Sequence, residues 1–365
     1  MDSFQKYCSK LRVDEETGEN KFAIIQAEDE LAAAGLTIGA GWMGARSFTP
    51  TSGAGISLMN EFIGFAYYTE TPSVFFDIQR VGPSTGMPTR TQQCDIMTTA
   101  YCSHGDTKHI VLYPSDPGEC FEMAVNALDL SERFQTPVFF LSDLDIGMND
   151  WMIDELTWDD SYEPDRGKIV TREQLEDGFE FFRYLDVDGD GIPYRTLPGT
   201  HPTKGAFFTR GSGHNKWGKY TEDSAEYKEV VDRLILKWRN ARHECPQPIL
   251  RNAANKTNAG ILALGSSDPA VIEAQERLAQ TGMHLDYMRI RAFPFADAIE
   301  DFMDAHDVIY VVEQNRDAQL MSLLINETPV TKDKLVSVRY YAGEPLSYKF
   351  VMDEITEHLA IRKSA

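Results

Sequence analysis

Apolar runs alternate with amphipathic stretches through the first part of the chain, after a polar opening over residues 1 to about 22 that predicts a frayed helix end and a loop. The pattern predicts the following elements in order: a helix at 28–43, extended RSFTPTS, a helix at 55–69, the strand SVFFDIQ, the strand HIVLYP, a helix at 117–134 and the strand PVFFLSD. Strands that alternate with helices are typical of parallel α/β units. We therefore predict one doubly wound domain in residues 1–150.

The alternation stops in residues 151–250. This stretch holds most of the tryptophans, many charges and the turn-rich DVDGDGIPYRTLPGTHPTKGAFFTRGSGHNKWGKY, which predicts a long ordered insertion or connection. The alternation then returns, and the predicted elements are NAGILALGS, a helix at 268–281, HLDYMRI, a helix near 296–304, DVIYVVEQ, a helix at 317–326 and KLVSVRYY. These predict a second, smaller α/β domain in residues 251–365.

Charge and composition exclude several classes of function. The 365 residues carry a formal net charge of −22, which disfavours nucleic acid and anionic membrane as partners. No run of about eighteen apolar residues predicts a membrane helix, and the polar start has no signal-peptide pattern, so we expect a cytoplasmic protein. The five cysteines are scattered without a C-x-x-C pair, so any iron–sulfur chemistry is expected on another chain.

An acidic cluster precedes a helix made largely of small residues, in QAEDELAAAGLTIGAG. Small residues permit close approach of another backbone or of a ligand. The next strand ends at TPTSGAG, where Thr51, Ser52 and Gly53 open a helix whose free amides suit an anionic or polar ligand group. Taken alone, Glu28 is better explained as a carboxylate favoured by the helix dipole.

The combination of an acid, a small-residue helix, a strand and T-S-G-x-G resembles the pyrimidine-binding domain of thiamine diphosphate enzymes. Together with DIQRVGPSTGMPTRTQQCD at 77–95 and with QTPVFFLSD and VVEQNRDAQL, it resembles the alpha subunit of 2-oxoacid:ferredoxin oxidoreductases, closest to the 2-oxoglutarate type. The resemblance runs from about residue 23 to the C-terminus. It implies a pyrimidine-binding domain followed by a smaller α/β domain like the C-terminal domain of transketolase.

The resemblance assigns roles to particular residues. Glu28 matches the glutamate that hydrogen-bonds N1′ of the aminopyrimidine, where a carboxyl shielded by apolar neighbours has a raised pKa and shares a proton with the ring. Thr51, Ser52 and Gly53 are expected to contact the cofactor. Asp29 and Glu30 are expected to cap the helix.

Arg80 is the implied substrate residue, because it follows a strand at the edge where open α/β sheets bind ligands and its planar fork suits a 2-oxoacid carboxylate. Without the surrounding motif, a surface ion pair explains it as well. Ser84 and Thr85 lie in the loop GPSTGMPTRT, which we expect to be rigid, and they either bind substrate or stabilise turns. Arg210 and His214, in RGSGHN, either reach a distal carboxylate or belong to a plain loop.

The stretch DVDGDG offers two metal-site patterns. Asp186, Asp188 and Asp190 match the first half of a calcium loop, but Leu197 replaces the acid at the twelfth position, which leaves a bound cation or a polar turn as alternatives. The same residues imitate the G-D-G to N-N signature for Mg²⁺ and diphosphate. We reject that match because IPYRTLP cannot open a helix and Lys216 replaces the second asparagine.

The implied assembly places the other half of the site on a beta subunit, which supplies Mg²⁺, the diphosphate site and a [4Fe-4S] cluster. The expected reaction is CoA-dependent oxidative decarboxylation of a 2-oxoacid with reduction of ferredoxin. A gamma subunit or domain is a further partner, and the expected assembly is a hetero-oligomer such as a dimer of alpha–beta units. The E-Q-N at 313–315 is expected to contact a neighbouring subunit.

The chain departs from the family pattern in two places. Relatives have a Y-P-I-T-P turn upstream of Q-x-E that this sequence does not contain, so we expect the first sheet to lack a strand. Cys94 stands where relatives have a small residue. Two rival functions follow: a self-contained thiamine-dependent decarboxylase or synthase, and an inert truncated paralogue with a structural or regulatory role.

Overall fold

Two five-stranded, mainly parallel sheets form the framework of the computed structural model, which describes residues 2–364. Both have helices on their two faces, so the predicted α/β class is confirmed. Within the described residues, no helix combines the length and the apolar character that a membrane crossing requires.

The first sheet is built from four parallel strands. Its elements, with the helices between them, are α1 (Asp2–Leu11), α2 (Glu30–Trp42), β1 (Phe48–Thr51), α3 (Gly53–Thr69), β2 (Ser73–Gln79), α4 (Ile96–Ala100), β3 (Ile110–Leu112), α5 (Pro117–Phe134), β4 (Pro137–Asp143) and α6 (Leu144–Met148). The strand order is β1-β2-β4-β3. Phe75 and Phe139 face α2 and α3, whereas Val74 and Val138 face α5, as the period-two alternation of a strand requires.

The insertion begins after α6 and has little regular structure until its end. Its helices are α7 (Arg172–Glu176) and α8 (Ser224–Asn240). The buried residues of α8 follow the i, i+4, i+8 spacing of one helix face, and Trp238 joins the core beneath the first sheet. The insertion is therefore docked on the first sheet through α8.

The second sheet has the strand order β10-β9-β6-β7-β5. Its elements, with the helices between them, are β5 (Ile249–Arg251), β6 (Ala259–Leu264), α9 (Asp268–Gln280), β7 (Asp286–Ile290), β8 (Ala292–Phe293), α10 (Asp297–Ala305), β9 (Val308–Glu313), α11 (Gln319–Glu327), β10 (Leu335–Arg339) and α12 (Tyr348–Ser364). β8 is not a strand of this sheet: it pairs antiparallel with β3 of the first sheet, where Phe293 lies opposite Val111. The second unit thus contributes an edge strand to the first sheet.

The boundaries predicted from hydrophobic pattern agree closely with the structure in the first sheet. β2, α5 and β4 span the predicted residues. Six of the described α-helices were not predicted. α1 is a continuous helix rather than a frayed end, and α12 follows the last predicted strand. α8 lies in the stretch that has no visible hydrophobic period, and α4, α6 and α7 are single short helices of five residues each.

A buried ion cluster joins the insertion to the first sheet. Glu70 ends α3 in a left-handed conformation, with φ of 55°, and is fully buried. Its carboxylate accepts hydrogen bonds from Arg233 and from Lys237, the latter at 2.7 Å. Burial alone would raise the pKa of Glu70, but the charges of Arg233 and Lys237 outweigh it and hold that pKa well below its usual range.

Replacing Glu70 by glutamine is expected to destabilise the fold by about 3–5 kcal/mol, because two buried cations would lose their counter-charge. Urea denaturation followed by circular dichroism measures this change. Glu176→Gln is the control, since that carboxylate pairs with Arg172 on the exposed face of α7 and its loss is expected to leave the transition unchanged. Equal transitions for the two variants would contradict the prediction.

Candidate functional site

A cleft of about 810 Å³ lies at the carboxyl ends of β1 and β2, between the two α/β units. Its lining comes from the start of α3, from the loop after β2 and from the segment after β9. The lining residues that carry polar or charged side chains are Ser57, Arg80, Ser84, Gln92, Cys94, Asp95, Asn315, Arg316, Asp317, Gln319 and Tyr341. Gly53 also lines it, so the structure brings Gly53, Arg80 and Ser84 together.

The N-terminus of α3 opens toward this cleft. Ser52 is extended, with φ of −135°, and its hydroxyl makes no capping bond. Its carbonyl accepts from the amides of Gly55 and Ile56 instead. Because the first amides of a helix have no partner within it, this end carries partial positive charge and suits an anionic group. Thr51 and Ser52 adjoin Gly53 in the chain but do not line the cleft.

The loop after Arg80 is held in shape by the backbone. Met87 donates from its amide to Val81 O at 3.1 Å, and the Val81 amide donates to Arg90 O at 3.0 Å. Gly86 has φ of 54°, and a Cβ there would lie 1.7 Å from Val81 O. Only glycine fits this position. Thr85 is exposed at the tip and does not line the cleft.

Two carboxyl groups near Arg80 affect each other's protonation. Asp77 of β2 is fully buried, and neither of its oxygens has a hydrogen-bond donor among the described residues. Asp95, the residue before α4, is the neighbouring charged group that acts on it. Burial raises the pKa of Asp95 to about 6, against the lowering effects of Cys94 and Arg80. Burial, and then the charge of Asp95, raises the pKa of Asp77 well above its usual range. Asp77 is therefore the protonated member of the pair.

Cys94 joins this group. Its thiol donates to the backbone carbonyl of Arg80 at 3.1 Å and lies 3.9 Å from a carboxylate oxygen of Asp95. Burial raises the pKa of Cys94 to about 12, so the thiol remains a neutral donor. This residue therefore helps to fix the backbone from which Arg80 projects.

Glu28 lies just before α2 and is not among the residues that line the cleft. Asp29 caps the helix, with its carboxylate accepting from the Ala32 amide at 2.8 Å, as the sequence predicts. A Cβ at Gly55 would lie 1.8 Å from Thr51 Oγ1 and 2.9 Å from Glu30 Cγ, so the start of α2 is packed against α3 and β1. Glu28 itself is exposed. The expectation that apolar neighbours shield it is wrong for this chain by itself.

Arg210 and His214 lie elsewhere. His214 is fully buried, and its ring packs against Tyr68 and Tyr184 at centroid distances of 4.6 and 4.0 Å. Tyr68 is near the C-terminal end of α3, roughly 20 Å along the helix from Gly53 at 1.5 Å per residue. Arg210 stacks over Phe208. The structure therefore does not bring these two residues to the cleft.

The DVDGDG stretch forms a tight polar turn. Asp186 accepts from the amides of Asp188, Gly189 and Gly191 through its own carboxylate. Lys168 Nζ lies 2.6 Å from Asp188 Oδ2 and 2.8 Å from Asp190 Oδ1. An ammonium group thus occupies the position that a cation would take among these oxygens.

Residues 313–315 contact the first unit of the same chain. Asn315 donates to Gln93 O at 3.0 Å, and the Gln93 amide donates to Gln314 O at 2.9 Å. Gln314 also donates to Ser266 Oγ at 3.1 Å. All three residues of the E-Q-N segment are buried within the chain, so the expected contact with a neighbouring subunit is replaced here by an internal one.

Sequence reasoning missed Asp77 and Asp95 as members of the site, although both lie in the motif at 77–95. The available signal was an aspartate inside the otherwise apolar SVFFDIQ, where an unpaired charge is costly. Arg316 and Tyr341 were missed because the second unit brings them to the cleft from distant parts of the chain.

Comparison with known proteins places this geometry in context. A family model described as "Pyruvate flavodoxin/ferredoxin oxidoreductase, thiamine diP-bdg" matches residues 3–160. The chain is 32% identical over 343 residues to subunit alpha of 2-oxoacid:ferredoxin oxidoreductase 2 from Aeropyrum pernix, covering 92% of this chain and 52% of that protein. It is 33% identical over 298 residues to the 2-oxoglutarate synthase subunit KorA of Methanocaldococcus jannaschii, covering 80% and 75%.

A solved structure is also similar. The 2-oxoglutarate:ferredoxin oxidoreductase from Magnetococcus marinus, with 2-oxoglutarate, coenzyme A and succinyl-CoA bound, matches with a TM-score of 0.82 at 27% sequence identity. The match covers 92% of this chain and 57% of that one. The chain spans about half the length of the Aeropyrum relative and three quarters of the KorA subunit.

Gly53→Ala is expected to destabilise the protein by about 1–3 kcal/mol, because the new methyl group would lie 2.3 Å from Asp95 Oδ1 and would displace that carboxylate or the start of α3. Thermal unfolding measures the effect. Gly39→Ala in α2 is the matched control: nothing lies within 4 Å of its Cβ position, so alanine is expected to be neutral or stabilising. Equal destabilisation by both substitutions would contradict the tight contact at Gly53.

Proposed function

The chain belongs to the family of 2-oxoacid:ferredoxin oxidoreductase alpha subunits, and we propose that it contributes the 2-oxoacid-binding half of such an enzyme. The proposed reaction is CoA-dependent oxidative decarboxylation of a 2-oxoacid to an acyl-CoA and CO₂, with electrons passed to ferredoxin. The observation that carries the proposal is the shared cleft of Arg80 and the amino end of α3.

Arg80 is the proposed carboxylate-binding residue. A guanidinium presents two parallel N–H donors to a carboxylate, and the α3 amides add partial positive charge on the same side. The backbone of Arg80 is fixed by the thiol of Cys94 and by β2. Ser84, at the rim of the cleft, is placed to add a hydroxyl contact. Together these groups would orient the carboxylate that leaves as CO₂.

Thiamine diphosphate is the proposed cofactor, shared with another chain, and the family model that matches residues 3–160 describes a thiamine diphosphate-binding domain. When bound, it supplies a carbanion that attacks the 2-oxo carbon and holds the electrons left after CO₂ departs. The exposed Glu28 carboxylate fits the aminopyrimidine, because its oxygens are accessible to a ring nitrogen. Glu28 would hold a proton at N1′, and a partner chain that covers it would supply the shielding that this chain lacks.

The partner proposed is a beta subunit that binds Mg²⁺, the diphosphate and a [4Fe-4S] cluster. Support comes from the DVDGDG turn, whose acidic oxygens are taken by Lys168, so the one metal-like motif of this sequence is already filled by the chain's own cation. The subunit names of the relatives also imply assemblies of several chains. A gamma subunit or domain is a further proposed partner.

We propose 2-oxoglutarate as the substrate. KorA of Methanocaldococcus jannaschii is named a 2-oxoglutarate synthase subunit, and the Magnetococcus structure holds 2-oxoglutarate. A dicarboxylate calls for a second cation besides Arg80. Arg316 also lines the cleft, paired with Asp317 at 2.7 Å, and is the residue that we assign to the distal carboxylate in place of Arg210 and His214.

Arg80→Ala is expected to lower kcat/KM for 2-oxoglutarate by about 10- to 100-fold, because one hydrogen-bonded charge pair between enzyme and substrate would be lost. Glu28→Ala is expected to abolish the reaction. Both are measured as substrate-dependent ferredoxin reduction after reconstitution with the cognate beta subunit.

Arg90→Ala is the control, because this arginine lies in the same loop but does not line the cleft, and its activity is expected to match that of the unmodified chain. Full activity of Glu28→Ala would refute the cofactor assignment. A complex that is inert toward every 2-oxoacid would favour the structural or regulatory alternative.

A further inference from the structure

The pair of carboxyl groups Asp77 and Asp95 has no role in the function proposed so far. Asp77 has no exposed surface, and neither of its oxygens meets an N–H or hydroxyl donor among residues 2–364. A buried carboxylate without a donor or a counter-ion is too costly to remain ionised. Asp77 therefore keeps a proton, so the pair carries at most one negative charge.

That charge lies where an anionic ligand would bind. Asp95 lines the cleft beside Arg80, and its oxygens lie against Gly53 at the start of α3. Arg80 and the α3 amides thus already face a carboxylate of the chain itself. A ligand carboxylate that enters must share these positive groups with Asp95, and two carboxylates at one site cannot both remain ionised without a large cost.

We propose that a carboxylate binding in this cleft brings about uptake of one proton by Asp95, while Asp77 remains protonated throughout. The inference rests on the proposed binding of a 2-oxoacid at Arg80. In the free protein, the negative charge of ionised Asp95 partly balances the charge of Arg80. In the complex, neutral Asp95 leaves the guanidinium to the ligand. The proton comes from solvent, and no covalent bond changes.

The other charged and titratable groups that face Asp95 are fixed in charge over the relevant pH range. Arg316 stays cationic because its hydrogen bond to Asp317 raises its pKa, Cys94 stays neutral because burial raises its pKa to about 12, and Asp317 stays anionic because the hydrogen bond from Arg316 lowers its pKa. Tyr341 is the remaining titratable side chain on the cleft wall. Burial raises the pKa of Asp95 to about 6, so Asp95 is the group whose protonation state a bound anion can change near neutral pH.

The sign of the effect follows from linkage. A bound anion favours neutral Asp95, so affinity rises as pH falls, by about tenfold for each pH unit over the range in which the proton is taken up. The test is calorimetric titration of the full chain with 2-oxoglutarate between about pH 5 and pH 8, in two buffers of different ionisation enthalpy. We expect uptake approaching one proton per ligand near neutral pH, and weaker binding at higher pH.

Three variants separate this proposal from a merely structural role. Asp95→Asn is expected to bind 2-oxoglutarate independently of pH and without proton uptake, and about 10- to 100-fold more tightly than the unmodified chain at pH 8. Asp77→Asn replaces one neutral group by another and is expected to keep the pH dependence and the proton uptake. Asp317→Asn, which removes a different carboxylate of the cleft lining, is expected to keep the full proton uptake as well.

Binding of 2-oxoglutarate without proton uptake, or an Asp95→Asn variant with the proton uptake of the unmodified chain, would overturn the proposal and leave the proposed function intact. Absence of binding at every pH, in the unmodified chain and in Asp95→Asn alike, would overturn it as well. The ferredoxin-reduction assay at fixed pH decides the proposed function separately. Infrared spectroscopy adds a ligand-free readout, because Asp77→Asn is expected to remove a protonated carboxyl band at neutral pH.

Discussion

The position of the second sheet against the first depends on one buried carboxylate. Glu119 of α5 accepts from Arg289 Nη2 at 2.8 Å and from the amide and the hydroxyl of Ser115, each at 3.0 Å, and Arg291 Nε lies 2.9 Å from its carboxylate. Burial alone would raise the pKa of Glu119, but the two arginines lower it to about 2. Because such a carboxylate is stable only with its cations in place, the start of α5 fixes where β7 must lie. The contact of Glu119 with the two arginines therefore helps to set the shape of the cleft between the units.

A second set of buried polar contacts extends the junction toward the cleft. Asp143, at the end of β4, accepts from Ser266 Oγ at 2.5 Å and from the amides of Asp145 and Ile146. Gln93, which lies two residues before Asp95 in the chain, donates to Leu264 O at 3.2 Å. The loop that carries Cys94 and Asp95 is thus tied directly to the second unit. Displacement of either unit would leave several buried polar atoms unpaired, so the two walls of the cleft keep one geometry.

The sequence predicted the elements whose burial is mainly apolar. β2 and β4 are runs of seven mostly buried residues, and α5 has a proline at its start and Asp116 as a capping residue. α8 escaped prediction because its buried face includes Arg233 and Lys237, which a hydrophobic pattern counts as polar. Their burial depends on Glu70, which lies 163 and 167 residues away in the chain. A pattern read along a local window cannot register a partner at that distance.

The same reasoning explains which part of the site was predictable. Arg80 and Gly53 lie at strand and helix ends, where backbone geometry alone directs them to the ligand edge of a parallel sheet. His214 and Arg210 were expected there because the sequence of a glycine-rich loop with basic residues is compatible with many positions in the fold. The docking of α8 on the first sheet decides which of these positions the loop occupies. The role of Asp95 was not predictable from local pattern, because the protonation of its carboxyl group depends on Asp77 and its oxygens lie against Gly53. A cleft that must release its ligand gains from such an internal competitor, because the carboxylate of the chain restores the charge balance of Arg80 once the ligand has left.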